Sequence, residues 1–421
     1  MEFRILTKDE YRAFIASHPE ASFMQTVELA ELKEELGSKA HFTGVFENGE
    51  LIAGAMLLED KTVLGKSKFY SPRGLVADYH NRELLSFFTE ELKKYIKKQG
   101  GFMLTIDPTV IYRVRDYEGN IIPENTPDDE SVQNLLDLGY THYGFNTYLD
   151  ALQVRWCCRF PLDEDYETKK ARFSKSTRKN IEACIKKGLI VKKGTIDDLQ
   201  VMSEIFEITS KHRDFFYRSL DYYKKMYKHL GELMTIYIAY LEPETYYSHT
   251  QSLLDGAKDN LAKIEYKMQK LSVGERLTEQ KENALRQIEK YEKELEKAEK
   301  FRNENPEGKA IGCLLSLRSG EEYLTLSSGV LYEYRNFTPK YLMYQHHILD
   351  AYKEGFKYCN FYGITGDFNP ENPYYGIYEF KKGFKGDVIE YIGQFELKVS
   401  GFYDVYKLLK KVKGALRNGN S

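Results

Sequence analysis

From residue 254 to residue 298, apolar side chains recur at a spacing that few structures can accommodate. Leu254, Ala257, Leu261, Ile264, Met268 and Leu271 follow one another at steps of three, four, three, four and three. Beyond Val273-Gly274, the residues Ala284, Ile288, Tyr291, Leu295 and Ala298 resume at steps of four, three, four and three. Such alternation puts every member on one seam of a helix, and that seam must be covered by another. The pattern predicts two antiparallel helices of about 25 residues, a coiled-coil arm reaching on the order of 40 Å at 1.5 Å per residue. Pro306 and Gly308 close it. Strands predicted at 234–240 and 310–317 make the arm an insertion within a unit that begins before it and ends after it.

The rest of the chain mixes strands and helices. Segments 42–46 and 51–58 flank Asn48-Gly49, a hairpin signal. Residues 84–99 carry Leu85, Phe88, Leu92 and Ile96 on one helical face, followed after Gly100-Gly101 by an apolar strand at 102–106. After the arm, strand 323–326, helix 340–353 and strand 358–362 form a β-α-β unit of the kind that N-acetyltransferase-like folds use to hold an acyl donor. The expectation is an α/β (α+β) chain with a first unit at 1–152 and a second at 153–241 plus 307–400. The arm takes 242–306, and a basic tail takes 401–421.

Charge and cysteine content narrow the function classes. No stretch approaches the roughly 20 apolar residues of a membrane span, and Met1-Glu2-Phe3-Arg4 opens no signal-like segment, so a cytoplasmic protein is expected. Five cysteines without C-x-x-C spacing suggest neither a disulfide framework nor a zinc site. The net charge of −3 hides a local excess: between 166 and 193, ten lysines and arginines face two acids. Lys175, Arg178 and Lys179 lie at its centre, a surface suited to nucleic-acid phosphates. Near the C-terminus, Val405, Leu408, Leu409, Val412 and Leu416 alternate with Lys407, Lys410, Lys411, Lys413 and Arg417, as in helices that rest on anionic bilayers.

Familiar catalytic signatures are absent: there is no G-x-S-x-G, H-E-x-x-H, P-loop or G-x-G-x-x-G. His346-His347 lies in a predicted helix, where neighbours point about 100° apart and cannot share one metal ion. Residues 330–339 hold no glycine run to cradle the pyrophosphate of coenzyme A.

Several clusters stand in a telling order. Phe23-Met24-Gln25-Thr26 precedes an acidic helix carrying Lys33, and Tyr70-Ser71-Pro72-Arg73-Gly74-Leu75 and Ile106-Asp107-Pro108 follow. Then come Gln153-Val154-Arg155-Trp156, Ser176-Thr177-Arg178-Lys179-Asn180-Ile181, and Phe216-Tyr217-Arg218 before Tyr222-Tyr223. Asn360-Phe361-Tyr362-Gly363-Ile364-Thr365-Gly366-Asp367 and Tyr378-Glu379-Phe380-Lys381-Lys382-Gly383-Phe384 complete the set. With the arm, this order resembles the FemABX family of peptidoglycan aminoacyltransferases over essentially the whole chain.

The resemblance implies two acetyltransferase-like (GNAT-like) domains and transfer of glycine, alanine or serine from aminoacyl-tRNA to an amine of a peptidoglycan precursor. That precursor is either lipid II or UDP-MurNAc-pentapeptide. Lys33 and Arg218 look like the grip on its phosphates, with Arg73 and Tyr222 as further substrate contacts. Asp107 and Lys381, beside Phe380, look like the transfer site, and Glu396 is carried over as a substrate contact. Ser327-Ser328-Gly329 departs from the family's frequent Gly-Gly pair. No cofactor is implied, because aminoacyl-tRNA is the co-substrate; related bridge-forming transferases and the inner membrane leaflet are further partners.

Plainer readings exist for several of these residues. Asp107 before Pro108 also suits a strand end. Lys33 stands among Glu31, Glu34 and Glu35, where ordinary ion pairs would account for it. Of Lys381 and Lys382, one alone can point inward if the segment is a strand. A coenzyme A-dependent N-acyltransferase and a non-catalytic coiled-coil scaffold are the competing functions.

Overall fold

In the computed structural model, which describes residues 1–18, 21–62, 65–147, 152–213, 217–270 and 274–418, the arm consists of helices Pro243–Lys270 and Glu275–Glu304. Leu254, Ala257, Ile264, Ala284 and Ala298 are buried along its seam, so the hairpin satisfies its own heptads. Leu271 and Val273 lie outside the described residues. Surface pairs such as Lys281–Glu265 and Lys258–Glu292 cross between the helices.

Two sheets carry the body. In the first, Lys39–Glu47 and Glu50–Lys61 form the expected hairpin, with Asn48 and Gly49 both at positive φ as its two-residue turn requires. Strands Ser67–Ser71 and Gly101–Ile106 lie parallel beside it, joined by helix Arg82–Lys98. In the second, Met234–Leu241 and Lys309–Ser319 pair as the same antiparallel hairpin, and the arm replaces its turn. Strands Glu322–Val330 and Tyr358–Gly363 then lie parallel, joined by helix Pro339–Lys353. Each sheet thus holds one acetyltransferase-like β-α-β unit.

The two units differ where an acyl group would lie. In the first sheet the parallel pair is joined from Ser67↔Gly101 to Ser71↔Ile106, with one register shift after Ser67. In the second it is joined only from Glu322↔Tyr358 to Leu324↔Asn360, after which the strands part. Main-chain groups along the parting lack ladder partners and need others.

The expected boundaries at 152 and 400 do not follow the sheets. Ile111–Arg115, placed in the first unit by sequence, pairs with Asp387–Tyr391 in the second sheet. Phe395–Lys398, placed in the second, pairs with Gly101–Ile106 in the first. Each unit therefore donates a strand to the other. The C-terminal helix Phe402–Asn418 sets Phe402 and Tyr406 against Phe102, with ring centres 5.1 and 5.0 Å away, and leaves Val405, Leu408 and Leu409 exposed. Side chains from residue 412 onward lie outside the description.

Candidate active site

The site begins with a tight turn after strand Ser67–Ser71. Gln25, fully buried, accepts the Tyr11 hydroxyl at 2.6 Å and gives its amide to Pro72 O at 2.6 Å, pinning the turn from below. A Cβ on Gly74 would fall 2.1 Å from Ser71 Oγ and 2.8 Å from Gln25 Nε2, so glycine is required there. Arg73 adopts φ 54° and points its main-chain N–H at Asp107 Oδ1, 2.7 Å away. The Tyr70 hydroxyl donates to the other oxygen, Oδ2, also at 2.7 Å.

From Tyr70 the hydrogen bonds continue across the sheet interface. Gln153 Nε2 donates to the Tyr70 hydroxyl at 3.3 Å, and the Tyr362 hydroxyl donates to Gln153 Oε1 at 2.9 Å. Tyr362, at φ 63°, is the kink at which strand Tyr358–Gly363 leaves its parallel neighbour, and Asn360 Oδ1 accepts its N–H at 2.8 Å. Lys381 Nζ then donates to Tyr362 O at 3.3 Å and Gly363 O at 2.7 Å. The carbonyls freed by the parting strands are thus satisfied by a lysine. Asp107 and Lys381, 274 positions apart in the chain (381 minus 107), belong to one hydrogen-bonded series.

Lys381 lies on helix Tyr375–Lys382, not on a strand, and only its first lysine of the pair turns inward; Lys382 reaches toward Glu118. Phe380 anchors this helix, its ring 5.0 Å from that of Tyr341 and 4.9 Å from that of Tyr344.

Burial moves the two ionisable groups toward each other. Desolvation pushes Asp107 up to about 6, against the pull of Arg73 and the Tyr70 hydrogen bond. The same effect lowers Lys381 to about 8. An acid raised and an amine lowered toward neutrality by burial mark a candidate reaction site.

A second group forms where helices Val27–Glu35 and Leu220–Leu230 meet. Burial and the nearby Arg218 charge both lower the pKa of Lys33, and Arg218 lies 4.9 Å over the Tyr222 ring. Two cations brought together with a phenol suit a diphosphate. Met24, Tyr217, Tyr222, Leu326 and Tyr362 are half-buried against one hydrophobic core.

Other candidates separate. Arg73 joins the Asp107 group, its Nη2 donating to Val154 O at 2.7 Å. Glu396 does not: it accepts the hydroxyls of Tyr143 at 2.9 Å and Tyr403 at 2.6 Å and pairs with Lys407, tying the C-terminal helix to the first sheet. Its location on an exchanged strand explains the difference. In the basic stretch, Lys169, Lys170, Arg172 and Lys193 are in ion pairs with acids, whereas Lys175, Arg178 and Lys179 are exposed on helix Lys175–Lys186. His347 is buried against Ser316 and held neutral by desolvation, its pKa lowered to about 3, while His346 is half-buried.

Sequence reasoning assigned no role to Tyr70, Gln153 or Tyr362. All three stand within or beside the segments singled out above, but nothing local in them reports a bond spanning more than 200 residues between Gln153 and Tyr362.

Two sheets, each with one acetyltransferase-like β-α-β unit, set the fold class. The comparisons carry this further. The model of the FemAB family matches residues 6–411. The chain is 30% identical over 417 residues to aminoacyltransferase FemA of Staphylococcus epidermidis, covering 98% of this chain and all of that one. It is 29% identical to FemA of Staphylococcus aureus, covering 98% and 99%. The crystal structure of FemX aligns with a TM-score of 0.75 at 26% identity, over 97% of this chain and 99% of that one. This chain belongs to the FemAB family and is an aminoacyltransferase.

Proposed function

We propose that this enzyme transfers glycine, alanine or serine from aminoacyl-tRNA to an amine on the stem peptide of a peptidoglycan precursor, building the interpeptide bridge. The observation that carries the reading is the hydrogen-bonded series from Asp107 through Tyr70, Gln153 and Tyr362 to Lys381, beside the parted strands.

The reaction is aminolysis: the acceptor nitrogen bonds to the ester carbonyl carbon, the carbonyl oxygen gains charge, and as the carbonyl re-forms the bond to the ribose oxygen breaks, the nitrogen giving up one proton and the ribose oxygen taking one. The amine must first be neutral. For a lysine-type amine of pKa about 10.4, only about one molecule in 2,500 is neutral at pH 7, a cost of roughly 4.6 kcal/mol; an α-amine near 8 costs about 1.4 kcal/mol. Lys381, largely protonated at neutral pH, offsets the oxyanion in this reading. Both oxygens of Asp107 are already engaged, which favours a positioning role, holding Tyr70 and the Arg73 turn, over direct proton abstraction. Lys33, Arg218 and Tyr222 serve the precursor phosphates, and Lys175, Arg178 and Lys179 the tRNA backbone. The ester is already activated, so no further cofactor is needed.

Incubation with tRNA charged with radiolabelled glycine, alanine or serine, plus lipid-linked or nucleotide-linked precursor, tests the proposal. Label entering precursor from one charged tRNA supports it and names donor and acceptor together. Absence of transfer from every donor, with the protein folded and precursor bound, rejects it.

A further inference from the structure

The C-terminal helix Phe402–Asn418 takes no part in the reaction above, yet one side of it is fixed to the first sheet. Phe402 and Tyr406 pack on Phe102, while the Tyr403 hydroxyl and Lys407 meet Glu396 beside Tyr143. At 3.6 residues per turn these four anchors span an arc of about 140°. Val405, Leu408 and Leu409 fall on the other side, within an arc of about 100°. They are 49, 63 and 48% exposed. Docking on the body therefore accounts for one face of the helix and leaves its apolar stripe in solvent.

The charge on the helix is nearly all of one sign. Its sequence holds four lysines and one arginine against a single acid, Asp404, which pairs with Lys398 at 2.6 Å. Lys410 and Lys411 are exposed and pair with no acid among the described residues. An occupant of this face must therefore offer apolar depth and negative charge together. A second copy docked through the same face would bring lysines against lysines. A bilayer with anionic headgroups supplies both, acyl chains for the leucines and phosphates within reach of the flexible lysine stems. Among the described residues no helix is long and apolar enough to cross a membrane, so this one would lie in the plane of the surface. Tyr143, half out in solvent next to Lys407, has the amphipathic ring that suits the headgroup level.

We propose that the helix Phe402–Asn418 lays Val405, Leu408 and Leu409 into an anionic bilayer surface, with Lys410 and Lys411 on the lipid phosphates. The partner is the lipid headgroup layer itself and not the peptidoglycan precursor, so the contact stands whichever amino acid and precursor the enzyme uses. Because Glu396 holds both Tyr403 and Lys407, the contact also fixes how the first sheet is oriented above the membrane.

The test is flotation of the full chain with vesicles free of precursor, made of phosphatidylcholine alone or of phosphatidylcholine mixed with phosphatidylglycerol. Partition onto the anionic vesicles is expected to be about tenfold or more stronger than onto the neutral ones, the effect of two lysines near a charged surface. Leu408→Glu with Leu409→Glu, at positions already in solvent, should abolish the partition at an unchanged melting temperature. Lys410→Gln with Lys411→Gln should remove the preference for anionic lipid. Vesicle binding that persists in the leucine variant would place the contact elsewhere, on the basic helix Lys175–Lys186 for example, and overturn the proposal. Equal partition onto the two kinds of vesicle, or none, would overturn it too. Self-association lost in the leucine variant, without vesicle binding, would give the face to a second copy and reject the lipid assignment.

Discussion

The side-chain nitrogen of Lys381 lies 2.7 Å from the main-chain oxygen of Gly363, where the strand that ends there has left its parallel neighbour. A carbonyl released by the parting would otherwise be unpaired in the interior. Lys381 therefore completes the fold at the point where an acyl group would enter, and one side chain serves both structure and charge. Lys381→Met is expected to lower kcat by about 10²–10³-fold, the range for removing one oxyanion donor. Its KM for precursor should change little. A normal kcat would remove Lys381 from the reaction.

The ionisation of the pair sets a pH profile. Asp107, raised to about 6, is charged above that value, and Lys381, lowered to about 8, is charged below it. Both are charged together only between these limits, and the acceptor amine must also lose its proton, so kcat/KM should climb more steeply below pH 6 than above it and level off above pH 8. Asp107→Asn should flatten the acid limb and leave the alkaline one. An acid limb surviving unchanged in that variant would assign it to another group.

These two residues also show what could be read in the sequence. The arm, the Asn48-Gly49 hairpin and the helix Arg82–Lys98 were legible because each is set by spacing within a few turns of chain. The exchange of Ile111–Arg115 and Phe395–Lys398 between sheets was not, because an apolar strand carries no label for its partner. Lys381 could be nominated but not oriented, since its segment reads equally as strand or helix; the helix resolves which lysine turns inward. Glu396 lies on one of the exchanged strands and Gln153 draws its partners from both sheets, so neither placement is written in the local sequence.

The side-chain amide of Gln153 joins Tyr70 to Tyr362. Gln153→Leu keeps the volume and deletes both bonds, leaving the Tyr362 hydroxyl without its acceptor. A lost buried partner costs about 1–3 kcal/mol, enough to lower the melting temperature measurably. If the series positions the two halves of the site, kcat should fall about tenfold with the KM of both substrates nearly unchanged. A fall in stability with full kcat would make Gln153 purely structural.

Burial first, and the like charge of Arg218 second, lower the pKa of Lys33. An anion between them relieves the repulsion, so precursor phosphates should bind more strongly than either cation alone would allow. Lys33→Met is expected to raise the KM for precursor by about ten- to hundredfold, the worth of a charge-assisted hydrogen bond, with kcat little affected. If the KM for charged tRNA rose instead, the phosphates held here would be those of the nucleic acid.

Lys175, Arg178 and Lys179 are exposed near the start of helix Lys175–Lys186, capped by Ser174 with no acid in its first turn. The helix dipole adds to their positive field, so this surface favours a phosphate backbone. Binding of that kind weakens with salt, at a slope set by the number of phosphates neutralised. Replacing all three with glutamine should raise the KM for charged tRNA and reduce the steepness of the log KM against log salt plot by about 2–3. The KM for precursor, read in the same assay, should stay constant. A salt slope identical to that of the unaltered enzyme would move the tRNA contact elsewhere, and the arm, whose surface pairs acids with bases, would be the next place to substitute.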